Sequence, residues 1–270
     1  MTKILILGST GMLGNAVTSY FKSNSQYEIT TTYRDEKIAF TGKTVKFDVL
    51  KDAIDILPVN FDYIINCIGI IKPFMAENPV AAIQINSVFP WVLADWCAGH
   101  NIKMLHITTE CVYSGSKGRY VETDLHDALD DYGKSKSLGE CSNKSMVLRT
   151  SIIGEEIHKD ASLIAWAKKQ RGQTIGGFST HLWNGVTTKQ YAIICDKIMQ
   201  GNMYQEGLFH IFASDDVSKL EMMHMFNEKY SLGMTIEEKS PPAVDRTLRS
   251  GFDLHQRLEI PTVQQMINEI

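Results

Sequence analysis

Tyr132 and Lys136 stand at i and i+4 in "DDYGKSKSLGE", and on a helix that spacing puts both side chains on one face. A lysine ammonium beneath a phenol favours the phenolate and lowers an ordinary pKa of about 10. Such a tyrosine can give a proton to a carbonyl oxygen while hydride arrives at the carbon. The lysine can also hold the ribose of a nicotinamide. Thr109, upstream in "HITTECVYSG" (106–115), adds a hydroxyl able to hydrogen-bond the same oxygen. Thr109, Tyr132 and Lys136 are therefore the candidate catalytic residues. A Tyr-x-x-x-Lys pair is common by chance; it gains weight from the motif at the start of the chain.

That motif is a phosphate-binding turn. "GSTGMLG" puts Gly8, Gly11 and Gly14 directly after an apolar run and at the start of a helix-like segment. Gly8 suits a tight turn, Gly11 lets the backbone approach a pyrophosphate, and Gly14 lets the helix pack closely. The helix N-terminus then offers N–H groups and a positive dipole end to the phosphate. Thr10, Met12 and Leu13 complete the cofactor contacts expected of this turn. The spacing is G-x-x-G-x-x-G, not the commoner G-x-G-x-x-G. At the end of the second strand, "TTTYRDE", an acidic side chain would bind the ribose of NAD. Threonines stand there instead, followed by Tyr33 and Arg34, and a guanidinium suits the 2′-phosphate of NADP. NADP(H) is favoured and NAD(H) stays open, with Asp35 the residue that would face the ribose in that case. Asp48, in "KFDV", suits the adenine amino group, with Val49 next to it. Cys67, Ile68 and Gly69, after the fourth strand, complete the expected cofactor set.

Short apolar runs alternate with helix-length stretches, as a cofactor scaffold of this kind requires. Strands are expected at 3–7, 27–33, 44–49, 63–69, 102–109 and 145–151, and helices at 11–23, about 76–99 and 132–141. Continuous Ile/Val/Leu runs imply strands buried on both faces, hence a parallel sheet wrapped by helices. The fold class is α/β, a Rossmann-like doubly wound parallel sheet with a smaller interleaved C-terminal lobe. Residues 1–150 read as the NAD(P)-binding domain and 151–270 mainly as a substrate lobe, with 187–212 returning to the main sheet. Amphipathic helices are expected at 161–170, 187–200, 217–230 and 262–270, and a strand at 207–212.

With 270 residues, 44% of them hydrophobic, and a net charge of −4, the chain has no basic excess for nucleic acid. Its apolar runs fall far short of the ~20 residues a bilayer span needs, so the expected location is the cytoplasm. Five scattered cysteines without a C-x-x-C pair suggest neither a disulfide framework nor a metal site. A homodimer is compatible with the sequence.

At this point the chain resembles the extended short-chain dehydrogenase/reductase family, and within it the dTDP-4-dehydrorhamnose reductase group. The resemblance runs through "LGSTGMLG", "NCIGI" (66–70), "INSVFP" (85–90), "TTECVYSG", "YGKSKSLGE" (132–140) and "LRTSIIG" (148–154), then "GLFHIFASDDVSKLEMM" (207–223) and "DRTLRS" (245–250). It implies reduction of a 4-keto nucleotide-linked deoxysugar in surface polysaccharide biosynthesis. Tyr132 would be the proton donor, Lys136 its support, Thr109 the group polarising the carbonyl. The nucleotide-sugar would meet Lys72, Glu110, Cys111, Arg149, His181, Trp183 and Asn184. Arg149 also reads as a buried structural ion pair and Trp183 as a core anchor. "GGFSTHLWNGVTT" (176–188) departs from the Gly-x-Pro-Thr turn of those reductases.

The residues after Thr109 separate related activities. Sugar-nucleotide dehydratases of this family carry Thr-Asp-Glu; here Cys111 takes the place of the base. GDP-fucose synthases carry a cysteine two residues beyond the catalytic serine and a distant histidine. Cys111 and His181 match that pattern, so an epimerase-reductase is the alternative. A thiolate there would be the base that removes the proton beside the ketone. A third reading is a regulatory subunit that binds NADP without turnover.

Overall fold

The run "TKILIL" forms β1 (Thr2–Leu7), its last four residues buried. The glycine turn leads into α1 (Met12–Lys22), which buries Leu13, Val17 and Phe21 at intervals of one helical turn. The computed structural model describes residues 1–35, 42–157 and 161–270. Next come β2 (Tyr27–Tyr33), β3 (Lys43–Lys46), β4 (Tyr63–Asn66), α2 (Pro79–Ile83), α3 (Phe89–Gly99), β5 (Lys103–Thr109), α4 (Asp131–Leu138) and β6 (Met146–Thr150). The second half holds β7 (Ile152–Ile153), α5 (Leu163–Lys169), β8 (Thr174–Phe178), β9 (His181–Trp183), β10 (Val186–Thr187) and α6 (Thr188–Gln200). It ends with β11 (Gly207–His210), β12 (Val217–Ser218), α7 (Lys219–Lys229), β13 (Thr235–Lys239), β14 (Val244–Asp245), α8 (Leu254–Leu258) and α9 (Val263–Asn268).

Seven strands form the main sheet in the order β11-β6-β5-β4-β1-β2-β3. The pairs β1–β2, β1–β4, β2–β3 and β4–β5 are parallel. The order reverses between β1 and β4, the switch point that gives Rossmann-like sheets their ligand crevice.

The chain divides into two compact units. The first comprises Met1–Thr108, Leu129–Leu148 and Ala192–Phe209; the second Thr109–Ala128, Arg149–Tyr191 and His210–Ile270. The first contains nearly the whole main sheet. Its core joins Leu5, Leu7 and Ile64 from the strands to Phe89, Leu93 and Trp96 of α3. Here Asp196 of α6 accepts the hydroxyls of Tyr20 and Tyr27. The second unit has small sheets: β12-β9-β14, β13 with β8, and β10 with β7. A core cluster of Val112, Tyr113, Tyr120, Phe212 and Leu248 lies in this unit. Helix α7 begins with a capping box between Ser218 and Glu221.

The expected single helix at 76–99 is interrupted. A π-helical turn, Gln84–Val88, separates α2 from α3. An extra residue in one turn is invisible to a 3.6-residue periodicity, and such turns concentrate at functional sites.

Candidate active site

In the first unit, Gly8 adopts φ +78, in the left-handed region that favours glycine. Its N–H donates to Thr32 Oγ1 at 3.1 Å, and Ser9 Oγ donates to the Thr32 carbonyl at 2.8 Å. A β-carbon on Gly14 would lie 2.1 Å from the Gly8 carbonyl oxygen, so any side chain there forces α1 off the turn. A β-carbon on Gly11 would meet only that oxygen, at 3.5 Å, leaving open space above the backbone. Gly11 caps α1 with no side-chain hydrogen bond, and the first turn holds no acid. The N–H groups of Met12, Leu13 and Gly14 thus keep the unsatisfied, positive character that binds a phosphate. Thr10 belongs to the same turn.

Arg34 lies exposed just beyond β2 and has no hydrogen-bonded or ionic partner among the described residues. Asp48 lies past the end of β3, where its carboxylate accepts the Leu50 N–H at 3.0 Å and pairs with Lys51 at 3.3 Å; Val49 is half-buried beside it. Burial pushes the Cys67 thiol upward and keeps it neutral. Ile68 touches the glycine turn: its backbone nitrogen would lie 3.2 Å from a β-carbon on Gly8.

Tyr132 and Lys136 occupy one face of α4. Asp130 caps that helix by accepting the Gly133 N–H at 2.9 Å, and Lys72 pairs with Asp130 at 2.9 Å. Lys72, expected at the substrate, instead has its ammonium on the cap of the helix that carries Tyr132. Lys136 is buried, and a β-carbon on Gly69 would lie 2.8 Å from its Nζ. Among the described residues the ammonium makes no hydrogen bond or ion pair. Desolvation lowers its pKa to about 8, opposed by the Glu140 charge. A cation held without a partner beside a glycine suits the hydroxyls of a ribose.

Two asparagines that sequence reading passed over hold the strip between β4 and α4. Asn66 Oδ1 accepts the Ile68 N–H at 3.1 Å, so its Nδ2 faces His106 Nδ1, at 3.1 Å. Burial, then the Lys136 charge, pushes His106 down to about 3, leaving it neutral. Asn86, in the π-helical turn, accepts the Ile70 N–H at 2.8 Å and donates to the Ile70 carbonyl at 2.9 Å and to Ser135 Oγ at 3.2 Å. The motif "INSVFP" was the available signal for Asn86.

In the second unit a cavity of about 180 Å³ is lined by Glu110, His181, Trp183, Asn184, Lys219 and Arg246, among others. It brings together four of the seven expected substrate residues. His181 Nε2 donates to the Pro242 carbonyl at 3.2 Å. Trp183 is buried, with the Lys219 ammonium 5.4 Å from its ring. Asn184 accepts the Leu248 N–H at 3.0 Å and donates to the Leu248 carbonyl and to Asp216, so its amide fastens the cavity wall. Thr109 Oγ1 accepts the Cys111 N–H at 3.1 Å and donates to Glu110 Oε2 at 3.0 Å. The Cys111 thiol points at Glu110 Oε1, 3.8 Å away.

Arg149 does not line the cavity. Its guanidinium is completely buried, donating to Tyr113 Oη at 2.5 Å, His210 Nε2 at 2.8 Å and His126 Nε2 at 2.6 Å. The side chain is buried and structural, as in the alternative reading, but these hydrogen bonds go to a phenol and two imidazoles, not to the carboxylate of an ion pair. The cations that do line the cavity, Lys219 and Arg246, were overlooked. Arg246 Nε donates to the Tyr113 carbonyl at 2.8 Å. Burial lowers the Lys219 pKa, opposed first by Glu110. One signal for Lys219 was legible: a lysine at the first position of a helix opposes the helix dipole.

Among the described residues no helix is long and apolar enough to cross a membrane, and no cluster of His, Cys, Asp or Glu could hold a metal.

The strand order, the uncapped glycine turn and the bare lysine of a Tyr-x-x-x-Lys helix define the class, the extended short-chain dehydrogenases/reductases, which are NAD(P)-dependent oxidoreductases. Within it the chain belongs to the RmlD substrate binding domain family, whose model matches residues 1–256. A dTDP-4-dehydrorhamnose reductase of Aggregatibacter actinomycetemcomitans is 31% identical over 232 residues, covering 81% of this chain and 76% of that one. The methionine adenosyltransferase 2 subunit beta of Bos taurus is 26% identical over 253 residues, covering 85% and 72%. The structure of a Bacillus anthracis dTDP-4-dehydrorhamnose reductase in complex with NADP superposes with a TM-score of 0.78, at 17% identity, over 100% of this chain and 98% of that one. At that identity the likeness is one of fold.

Proposed function

We propose that the protein reduces the 4-keto group of a nucleotide-linked deoxysugar with NADP(H), in the making of a surface polysaccharide sugar. The observation that carries this reading is the Lys136 ammonium, buried beside Gly69 on the helix that bears Tyr132 and with no hydrogen bond or ion-pair contact among the described residues. The reductase relative supports it. Gly8, Gly11, Gly14 and the leading N–H groups of α1 hold the pyrophosphate, Arg34 the 2′-phosphate and Lys136 the nicotinamide ribose. When bound, the cofactor supplies hydride to the keto carbon. Tyr132 protonates the oxygen, and Thr109 donates a hydrogen bond to it. In the cavity of the second unit, Arg246 and Lys219 meet the diphosphate, while Trp183 and His181 shape the sugar site. The protein acts in the cytoplasm and is compatible with a homodimer.

The test is loss of reduced cofactor with a 4-keto-6-deoxy nucleotide-sugar, NADPH against NADH. Oxidation that depends on the sugar supports the reading; cofactor binding without oxidation of any keto sugar overturns it. That second outcome would favour the other reading, a non-catalytic NADP-binding subunit. The relatives named as methionine adenosyltransferase subunits support that alternative.

A further inference from the structure

The cavity of the second unit has two chemically opposite sets of groups. The first set is donors without acceptors. Arg246 uses only its Nε–H, on the Tyr113 carbonyl at 2.8 Å, and its terminal nitrogens have no partner among the described residues. The Lys219 ammonium meets Met222 Sδ at 3.6 Å and the Trp183 ring at 5.4 Å, but no oxygen among the described residues. The second set is acceptors with capacity left. Glu110 takes one hydrogen at each oxygen, from the Thr109 hydroxyl at 3.0 Å and from the Cys111 thiol at 3.8 Å. An ionised carboxylate has about four lone-pair sites, so about two remain. His181 donates through Nε2 to the Pro242 carbonyl at 3.2 Å, which leaves Nδ1 of the neutral ring a bare acceptor. Lys219 and Arg246 line the same cavity as Glu110, yet neither forms an ion pair with it among the described residues. Opposite charges share one space and are held apart.

A ligand that satisfies both sets brings an anion for the donors and, next to it, a hydroxyl for the acceptors. A diphosphate alone satisfies only the first, because its oxygens accept and the Glu110 carboxylate repels them. The cavity measures about 180 Å³, below the about 300–1,000 Å³ of pockets that enclose a whole ligand. It suits one part of a nucleotide-sugar, the junction where sugar meets diphosphate. There the diphosphate is attached to C1, and the nearest ring hydroxyl is the one on C2. Resting on the reductase reading, we propose that Glu110, with His181 as a second acceptor, reads the 2-hydroxyl of the sugar while Arg246 and Lys219 hold the diphosphate. The hydroxyl donates to the carboxylate, a charge-assisted hydrogen bond. Without that hydroxyl the carboxylate gains nothing from the ligand and still repels its diphosphate. Specificity of this kind comes from an unfavourable term against the wrong ligand as well as a favourable one for the right ligand. Glu110 is thus a specificity-determining residue, and the protein takes 2-hydroxy sugars in preference to 2-deoxy ones.

The experiment is calorimetric titration of the full chain with dTDP, dTDP-glucose and dTDP-2-deoxyglucose. None of the three carries a keto group, so turnover does not enter. Wild type should bind dTDP-glucose about 10–100-fold more tightly than its 2-deoxy analogue, the scale of one hydrogen bond to a charged acceptor. Glu110→Ala should weaken dTDP-glucose and tighten dTDP, because it removes both the acceptor for the hydroxyl and the charge that repels the diphosphate. A merely structural role would not give opposite signs from one substitution. Glu110→Gln, closer in shape, keeps an acceptor and loses the charge; it should tighten dTDP and retain part of the sugar preference. Lys219→Met should weaken all three probes together. Equal affinity of wild type for the two sugars, or an undiminished preference in Glu110→Ala, would overturn the assignment and leave the reductase reading standing. Failure of all three probes to bind would also overturn it. Oxidation of NADPH with a 4-keto-6-deoxy nucleotide-sugar is measured separately. Its absence would overturn the reductase reading, while the calorimetry still decides what Glu110 recognises.

Discussion

At the scale of single residues, Tyr132 is the first to remove. Tyr132→Phe should lower kcat by about 10²–10⁴-fold, the usual worth of a general acid, with NADP affinity nearly kept. Wild-type kcat in that variant, measured by NADPH oxidation, would exclude Tyr132 as the donor. Lys136 has a dual signature. The unfolded lysine keeps its proton to about 10.5 and the folded one only to about 8. The cost of burying the charge is therefore full below pH 8 and disappears as pH rises toward the unfolded value, a span of about 3 kcal/mol. Lys136→Met should abolish turnover yet raise Tm near neutral pH; a lowered Tm would mean that the ammonium has a compensating partner. The sequence named Tyr132, Lys136 and Thr109 because their chemistry needs those side chains at that spacing. It did not distinguish Lys72 or Arg149 from true pocket cations. A lone cation's sequence neighbours say nothing of whether Asp130 or two histidines will be its partners.

Among the elements, α1 and α4 position the chemistry in the first unit. Gly14→Ala places a β-carbon against the Gly8 carbonyl and must push α1 away from the turn. Overpacking of this kind costs about 1–3 kcal/mol, and NADP affinity should fall with it; calorimetric titration with NADP that shows unchanged affinity would refute this. Helix α4 is polar, so its start depends on the Asp130 cap, and Asp130→Ala should cost about 1 kcal/mol while also freeing Lys72. Urea denaturation reads that loss. The strands β1 and β2 and helix α1 were legible because both faces of a central strand, and one stripe of a covering helix, must be apolar. The π-helical turn was not, although it aims Asn86 at Ile70. The short strands β9, β12 and β14 were not legible either. Two or three residues are too few for a periodicity, and their pairing is long-range: Val217 with Trp183, Val244 with His181.

At the scale of the whole molecule, each unit carries a buried neutral histidine. His106 in the first is pushed down to about 3 and His210 in the second to about 4, in both cases mainly by burial. In the unfolded chain both titrate near 6.5. The unfolded state therefore takes up more protons as pH falls below that value, and stability should drop from there toward pH 4 and beyond. Denaturant midpoints followed down the pH scale should show this slope, reduced in His106→Asn; a flat profile would rule it out. His210 accepts from Arg149 through Nε2 and donates from Nδ1 to the Arg249 carbonyl at 2.7 Å, which leaves no site for a second proton without breaking a bond. Arg149→Leu would strip a donor from Tyr113, His126 and His210, at about 1–3 kcal/mol for each group left unsatisfied. By itself the sequence determined the sheet, the cofactor turn and the Tyr-x-x-x-Lys helix, since these rest on local periodicity and fixed spacing. Only the tertiary structure decided which charges share a space. It put Lys219 and Arg246 in one cavity with Glu110, sent Arg149 into a cluster of neutral acceptors, and tied the Thr109 hydrogen to Glu110. Burial and long-range pairing set those partnerships, and neither is written in the order of neighbouring residues.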